Sequence, residues 1–154
     1  MLTLRAATIE DAETLADIEA KSFPPAEAAS LESFRKRLAV FPDCFLLLMK
    51  DDKAVGLIDG MITDQRTITD DMFADATLHN PEGRWQSVFG LAVLPEERRQ
   101  GYASTLMRAF IEKARDEDRD GVILTCKAHL IDFYSSFGYV NRGVSKSVHG
   151  GAVW

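Results

Sequence analysis

The chain has 154 residues, the length of one ordinary domain, and 46% of its residues are hydrophobic while 27% are charged. This balance excludes a disordered chain, a collagen-like chain and a coiled-coil array, and it favours a globule with one core. The 24 acidic side chains outnumber the 18 basic ones, which gives a formal net charge of −6. Net acidity argues against nucleic acid as a partner and favours cationic small molecules.

The first half of the chain predicts two helices followed by a hairpin. The predicted elements are a strand over 1–6, a helix that begins at Thr8, a helix over 30–39, and strands over 44–49 and 54–63 around a turn. Ala12, Leu15 and Ile18 give the first helix an apolar face, and Pro24 and Pro25 end it because proline removes a backbone donor.

Residues 64–84 form a polar stretch without periodicity, apart from a helical turn predicted over 69–73. Long irregular loops in small domains are usually functional, so this stretch is a candidate flap over a substrate. A surface excursion fits the composition equally well.

The second half predicts alternating strands and helices. They are a strand over 85–94, a helix beyond Gly101, a buried strand over 122–126, a short helix over 130–137 and a final strand pair from Gly138 toward Trp154. The helix beyond Gly101 is the clearest, because its apolar residues recur with helical spacing over about three turns. With no repeat or linker in the sequence, we expect residues 1–154 to be one α/β domain with a mixed sheet.

The two cysteines, Cys44 and Cys126, lie in apolar surroundings and have neither metal-ligand spacing nor the pattern of a disulfide framework. We therefore expect buried thiols in a reducing compartment and no metal site. No apolar run is longer than a strand, and the N-terminus lacks the pattern of a signal peptide. These features predict a cytoplasmic protein without a membrane segment.

The most informative stretch joins the strand over 85–94 to the helix after it. A basic turn at Arg98 and Arg99 precedes Gly101 and Ala103 at the start of the helix. Helix N-termini present unpaired N–H groups and the positive end of the helix dipole, so they suit anions. Because the stretch is neither a Walker A loop nor a G-x-G-x-x-G fingerprint, coenzyme A is the predicted phosphate ligand.

At these residues the chain resembles the GNAT superfamily of acetyl-CoA-dependent N-acetyltransferases. Arg98, Gly101 and Ala103 match its signature Arg/Gln-x-x-Gly-x-Gly/Ala, and the aromatic stretch 133–139 matches its second feature. The resemblance implies a mixed, mostly antiparallel sheet that is splayed at the cofactor site and carries helices on both faces. It also implies acetyl transfer from acetyl-CoA to a primary amine by direct attack in a ternary complex.

Within the superfamily the chain looks most like the arylalkylamine (serotonin) N-acetyltransferase group and its bacterial relatives. This finer resemblance rests on the sequence Leu91-Ala92-Val93 before the loop and on Cys126 before the aromatic stretch. It implies an acceptor that is a small arylalkylamine-like or polyamine-like molecule.

The resemblance implies roles for individual residues. The cofactor-binding positions are Leu91, Ala92 and Val93 along the pantetheine arm, and Arg98, Arg99, Gln100, Gly101, Tyr102, Ala103 and Ser104 around the pyrophosphate. Tyr134 matches the tyrosine that lies near the thioester sulfur and protonates the leaving thiolate, although a core aromatic is the alternative. Leu91 and Thr125 match positions at the acceptor pocket.

The proton acceptor has several candidates, and one is needed because an alkylamine with a pKa of about 10 is mostly protonated at pH 7. The animal serotonin enzymes carry histidines where this chain has Ser87 and Phe89. Glu27 is the first choice for the base, because some insect relatives place a glutamate in that region. His79, a water chain through Ser87, and Asp59 are the alternatives.

Two other functions stay open. The chain could acetylate a protein N-terminus or a lysine, and it could also be a non-catalytic coenzyme A-binding domain, which the missing histidines would explain. We expect no metal and no membrane partner, and either a monomer or a homodimer.

Overall fold

The structure is a computed structural model that describes residues 2–141 and 143. Its strands are β1 (Leu2–Ala6), β2 (Phe45–Lys50), β3 (Lys53–Asp59), β4 (Ile62–Thr63), β5 (Trp85–Val88), β6 (Gly90–Val93) and β7 (Gly121–Leu124). Its α-helices are α1 (Ala12–Ser22), α2 (Leu31–Val40), α3 (Asp70–Ala74), α4 (Tyr102–Asp116) and α5 (Ile131–Ser135). Residues 138–141 form no strand, and the rest of the predicted final strand pair lies almost entirely outside the described residues.

The strands form two sheets. In the first, β1, β2, β3 and β6 pair antiparallel in that order, and in the second β5 lies between an antiparallel β4 and a parallel β7. The predicted continuous strand over 85–94 is wrong, because the chain breaks at Phe89 and passes from one sheet to the other. Strand β7 pairs with β5 as far as Val88 and Leu124 and does not pair with β6, so β6 and β7 diverge beyond that point. The mixed, splayed sheet is thereby confirmed.

The predicted strand over 54–63 also breaks, at Gly60. A Cβ atom at Gly60 would lie 1.8 Å from the Ser87 carbonyl oxygen, so no residue with a side chain fits there without movement of the backbone. Beside this break, the Ser87 hydroxyl accepts a hydrogen bond from the Met61 N–H at 2.9 Å and donates one to the Met61 carbonyl at 2.8 Å. The break is therefore a close backbone contact, which local sequence patterns do not reveal.

Helices cover both faces of the first sheet. Along β2, Phe45 and Leu47 pack into the cluster that contains α1 and α2, while Leu48 packs with α4. This alternation is the period of two expected of a strand buried on both faces. On α4, Leu106 and Phe110 are fully buried, and each such side chain contributes on the order of 2 kcal/mol through the hydrophobic effect.

The helix starts differ slightly from the prediction. A 3₁₀ turn over Ile9–Asp11 comes between Thr8 and α1, and the Thr8 N–H donates to the Asp11 carboxylate at 2.8 Å. The Ser30 hydroxyl accepts from the Ser33 N–H at 3.1 Å and caps α2. The apolar face predicted for the first helix, Ala12, Leu15 and Ile18, is buried.

Residues 64–84 are packed onto the domain, and α3 forms where a helical turn is predicted. Ile68, Met72 and Ala76 join the core cluster beneath α1 and α2. The His79 ring lies 4.9 Å from the Phe41 ring, and its Nδ1 accepts from the Ile62 N–H at 3.0 Å. These contacts do not fit a loose surface excursion.

The predicted buried strand over 122–126 is shorter and less buried than expected. It ends at Leu124, and all four residues of β7 are only half-buried. Cys44 is buried as predicted, whereas Cys126 is half-buried just beyond the strand. Within residues 2–141 and 143, no helix combines the length and the apolar character needed to cross a membrane.

Candidate active site

A cavity of about 100 Å³ lies where β6 and β7 diverge. The side chains and backbone that line it belong to Glu19, Phe23, Glu27, Phe73, Val88, Phe89, Gly90, Leu91, Leu124, Thr125, Cys126, Leu130 and Tyr134. The structure thus brings four predicted site residues, Glu27, Leu91, Thr125 and Tyr134, to one place. A wider open groove of about 450 Å³, between β1, β2 and α4, contains none of the predicted site residues.

Strand β6 has an open edge beside this cavity. The Leu94 N–H donates to the Val55 carbonyl at 2.9 Å, and bonded residues alternate along an antiparallel ladder. The backbone groups of Leu91 and Val93 therefore point away from β3, and no described strand pairs with that edge. The Val93 carbonyl accepts from the Arg98 side chain at 3.2 Å, which leaves the backbone of Leu91 as the part of the edge nearest the cavity.

The loop between β6 and α4 has the backbone shape of an anion cradle. Arg99 has a φ of 65° and Gly101 a φ of 80°, so the chain turns twice through the left-handed region before the helix begins. A Cβ atom at Gly101 would have no described atom within 4 Å, so the space in front of the helix is open. The first N–H groups of the 15-residue helix α4 face this space.

Some side chains of this loop pack into the protein, and others are exposed to solvent. Tyr102 is buried against α4 and the sheet, and its hydroxyl donates to the Gln100 side-chain oxygen at 3.1 Å. Tyr102 can therefore offer a ligand its backbone N–H, while its ring belongs to the core. The Arg99 side chain is exposed, and Ala103 and Ser104 are half-buried at the start of the helix.

Tyr134 projects from α5 into the cavity. Its ring makes edge contacts with Phe133, at 5.1 Å between centroids, and with Tyr139 at 6.1 Å. Burial, with a smaller contribution from Cys126, raises the pKa of Tyr134 to about 12. The phenol therefore stays protonated at neutral pH, which suits a proton donor.

Glu27 forms an ion pair across the cavity. Its carboxylate lies 2.7 Å and 2.8 Å, through its two oxygens, from the Lys127 ammonium group, and its side chain is 8% exposed. The pair joins the α1–α2 loop to the segment after β7. One wall of the cavity is thereby tied to the opposite wall.

The other candidate bases lie elsewhere. The His79 Nδ1 accepts a backbone hydrogen bond, and burial together with Arg119 lowers the pKa of this histidine. The Ser87 hydroxyl is hydrogen-bonded to the backbone of Met61. Neither His79 nor Ser87 lines the cavity. Asp59 is fully buried in an ion pair with Arg37 at 3.0 Å.

Glu19, an acid on α1 that lines the cavity, is not among the residues predicted from the sequence. It is 4% exposed, one of its oxygens accepts from the Ala29 N–H at 3.3 Å, and the other has no hydrogen-bond partner among the described residues. Burial, and then the nearby Asp59 carboxylate, raise the pKa of Glu19 to about 8. Glu19 lies one residue after Ile18 and four after Leu15, which places it on the apolar face of the helix. An acidic residue on such a face is the sequence signal from which it could have been predicted.

Glu19 and Asp59 converge at Gly90. A Cβ atom built on Gly90 would lie 3.2 Å from Glu19 Oε2 and 3.2 Å from Asp59 Oδ1, the two oxygens that lack a hydrogen-bond partner within the described part of the chain. The Arg37 guanidinium neutralises only one carboxylate, because it bonds Asp59 Oδ2 and the Phe73 carbonyl. Glycine at this position avoids the tight contacts that a side chain would make with both oxygens.

The model of the acetyltransferase (GNAT) family matches residues 12–139. This chain belongs to the GNAT family of acetyltransferases. The match covers α1, the anion cradle at Gly101 and the aromatic helix α5, so the elements around the cavity are those of the family. The arylalkylamine subgroup stays a prediction.

Individual GNAT proteins are similar to this chain at moderate identity. Human N-acetyltransferase 8 is 31% identical over 105 residues, which are 66% of this chain, and the chain spans 40% of that protein's length. The loading GNATL domain of CurA from Lyngbya majuscula superposes with a TM-score of 0.75 at 22% identity, over 88% of this chain and 69% of that one. The ribosomal-protein-S18-alanine N-acetyltransferase from Escherichia coli superposes with a TM-score of 0.70 at 17% identity, over 94% and 81%. At these identities the two structures show the shared fold.

Proposed function

We propose that this chain transfers the acetyl group of acetyl-CoA to a primary amine of a small molecule. The observation that carries the proposal is the cavity of about 100 Å³ that opens beside the unpaired edge of β6 and ends at Tyr134. A donor along the β6 edge and an acceptor in the cavity would meet between Leu91 and Tyr134. Family membership supplies the reaction class, because GNAT acetyltransferases use acetyl-CoA.

The residues present fit coenzyme A. The N–H groups at the start of α4 and the exposed Arg99 are suited to the pyrophosphate, and the missing side chain of Gly101 leaves room for its oxygens. The outward carbonyl of Leu91 can accept a hydrogen bond from an amide of the pantetheine arm, as in a strand pair. When bound, acetyl-CoA supplies an activated thioester.

Residues of the chain would then perform the transfer. The Leu91 N–H donates a hydrogen bond to the reacting carbonyl oxygen, and Tyr134 gives its hydroxyl proton to the leaving sulfur. Thr125, beyond the end of β7, contacts the acceptor from the opposite wall. Aligning donor and acceptor in one cavity makes the attack effectively unimolecular.

The size and lining of the cavity support a small acceptor. Phe23, Phe73 and Phe89 contribute aromatic surface, and the pair of Glu27 and Lys127 joins two walls. An arylalkylamine or a polyamine arm fits such a site better than a folded protein surface does. The similar enzyme from Escherichia coli acts on a ribosomal protein, so peptides belong in the test.

The test measures thiol release from acetyl-CoA with a panel of arylalkylamines, polyamines, peptides with free N-termini and lysine peptides. We expect turnover with small amines. Turnover with peptides alone would support a protein acetyltransferase, and binding of coenzyme A without any turnover would support a non-catalytic domain. A single domain over 1–154, a cytoplasmic location, and a monomer or homodimer stay predictions.

A further inference from the structure

We infer that Glu19 is the group that takes the proton from the acceptor amine, and that Asp59 and Arg37 hold it ready for that role. The inference rests on the proposed function and assigns the step that the sequence analysis left open. It stands on the place of the Glu19 side chain in the cavity lining and on the contacts of its two carboxylate oxygens.

The two carboxylate oxygens of Glu19 differ in their contacts. Its Oε1 accepts the Ala29 N–H, while its Oε2 lacks a hydrogen-bond partner in the described part of the chain although the side chain is 4% exposed. An unpartnered buried carboxylate is unfavourable, so a polar group that enters the cavity gains much by binding there. An alkylammonium group offers the N–H donor and the positive charge that this oxygen lacks.

The second free oxygen strengthens the site. Asp59 Oδ1 and Glu19 Oε2 both lie 3.2 Å from the point where a Cβ atom at Gly90 would stand, so they flank Gly90, and Arg37 bonds only the Asp59 carboxylate of the two. When Glu19 is ionised, an ammonium group in the cavity beside Gly90 balances the remaining charge. The ionised site therefore favours an amine that enters the cavity as its ammonium form, which alkylamines keep up to a pH of about 10.

Charged groups on each side of Glu19 set its proton affinity. Asp59 on β3 raises the pKa of Glu19, Arg37 on α2 opposes it, and β6 contributes no side chain at Gly90. Across the cavity lie Tyr134, which stays protonated at neutral pH, and the ion pair of Glu27 with Lys127. With its pKa near 8, Glu19 accepts a proton much more readily than an ordinary carboxylate does.

Glu27 is less suited to this step. Its carboxylate lies within 2.8 Å of the Lys127 ammonium group through both oxygens. The ammonium group of an acceptor would have to displace Lys127 to contact this carboxylate. The structure therefore supports Glu27 as a clamp between two walls and Glu19 as the base.

The proton balance of the step is simple. The ammonium group gives one proton to Glu19 Oε2, and the C–N bond forms as the C–S bond breaks. Tyr134 gives its proton to the leaving sulfur and regains one from the nitrogen of the new amide. Glu19 then releases its proton to solvent, so that one proton is produced for each amide formed.

The experiment compares the parent with Glu19→Gln, Glu27→Gln and the control Glu13→Gln, which removes an exposed carboxylate from the same helix. For an amine that the parent acetylates, kcat/KM of the parent should rise through a pH near 8. Glu19→Gln should lower kcat/KM at pH 7 by at least about 100-fold and abolish that limb, since it removes one general base. Glu27→Gln should keep the limb, and Glu13→Gln should behave as the parent.

A second variant separates a proton-transfer role from a structural one. Asp59→Asn should move the limb to lower pH, because it removes the carboxylate that raises the pKa of Glu19. Carbon-13 NMR of the glutamate carboxyls, with Glu19→Gln to assign the signal, should show Glu19 titrating well above the ordinary value of about 4.3.

The outcomes are distinct. An active Glu19→Gln variant that keeps its pH limb, or a Glu19 signal that titrates near 4.3, overturns the inference and leaves the proposed function intact. A limb that disappears in Glu27→Gln and persists in Glu19→Gln also overturns it, in favour of Glu27. A parent that binds coenzyme A and acetylates no amine refutes the proposed function itself.

Discussion

A buried carboxyl with a raised pKa makes the folded protein less stable as the pH rises, and Glu19→Gln should remove that effect. Burial and Asp59 raise the pKa of Glu19 from its ordinary value of 4.5 to about 8. Between these two values the folded protein holds a proton that the unfolded chain has released. The free energy of unfolding therefore falls with increasing pH across this window, and this decrease is complete only above pH 8.

The magnitude follows from the width of the window. Each unit of pKa shift corresponds to about 1.4 kcal/mol, so a shift from 4.5 to about 8 can reduce stability by up to about 5 kcal/mol at high pH. Between pH 5 and pH 8 the expected loss is about 3 kcal/mol, because the window begins slightly below pH 5 and is not complete at pH 8. Glutamine has no ionisable proton, so Glu19→Gln should not show this loss.

The assay is unfolding by urea at pH 5, 6, 7 and 8 for the parent, for Glu19→Gln and for Glu13→Gln. The free energy of unfolding of Glu19→Gln, relative to the parent, should increase with pH by about 3 kcal/mol over that range. Glu13 is exposed, with 82% of its side chain accessible, so its variant should follow the parent at every pH. A difference between parent and Glu19→Gln that stays constant from pH 5 to pH 8 would refute a raised pKa at this site.

Three further predictions concern the cradle, the proton donor and the break after β3. Gly101→Asp should weaken coenzyme A binding by at least about 10-fold relative to Gly101→Asn in calorimetry, because the two side chains have similar shape and tolerance of a positive φ and differ in charge. Equal affinities would place the pyrophosphate elsewhere. Tyr134→Phe should lower kcat by about 100-fold with little change in acetyl-CoA affinity, and an unchanged kcat would make Tyr134 a core aromatic only. Gly60→Ala should destabilise the fold by about 3 kcal/mol or more in urea unfolding, since its Cβ would lie 1.8 Å from the Ser87 carbonyl; a loss below 1 kcal/mol would show that the backbone relaxes.

Periodic patterns predicted the helices well because the physical cause of the pattern is local. Leu106 and Phe110 lie four residues apart and are both fully buried, as an apolar helix face requires. The anion cradle was equally visible, because a glycine that must adopt a φ of 80° and a basic turn lie next to each other in the chain. Tyr134, Thr125 and Leu91 were predicted as site residues from the family resemblance, and all three line one cavity in the structure, while their roles stay predictions.

The breaks in the strands could not be predicted in this way. The sequence around Phe89 and around Gly60 reads as continuous apolar strand, yet each break depends on a partner far away in the chain. Gly60 lies against the carbonyl of Ser87, and Phe89 lies where pairing changes from β7 to β3. Because such a contact joins residues more than 25 positions apart, no local pattern carries it.

For the inferred proton acceptor, matching by position and an argument from burial lead to different residues. Matching by position leads to Ser87, Phe89 and Glu27, since related enzymes carry their bases there. The energetics lead instead to Glu19, because a carboxylate on the apolar face of α1 costs stability unless it has a partner or holds a proton. The nearby Arg37 is bonded to Asp59, so Glu19 is stabilised by holding a proton. The burial that makes Glu19 unfavourable for folding also gives its carboxylate a high proton affinity beside the cavity. A buried acid of this kind lowers stability, and such residues are therefore expected at sites of chemistry.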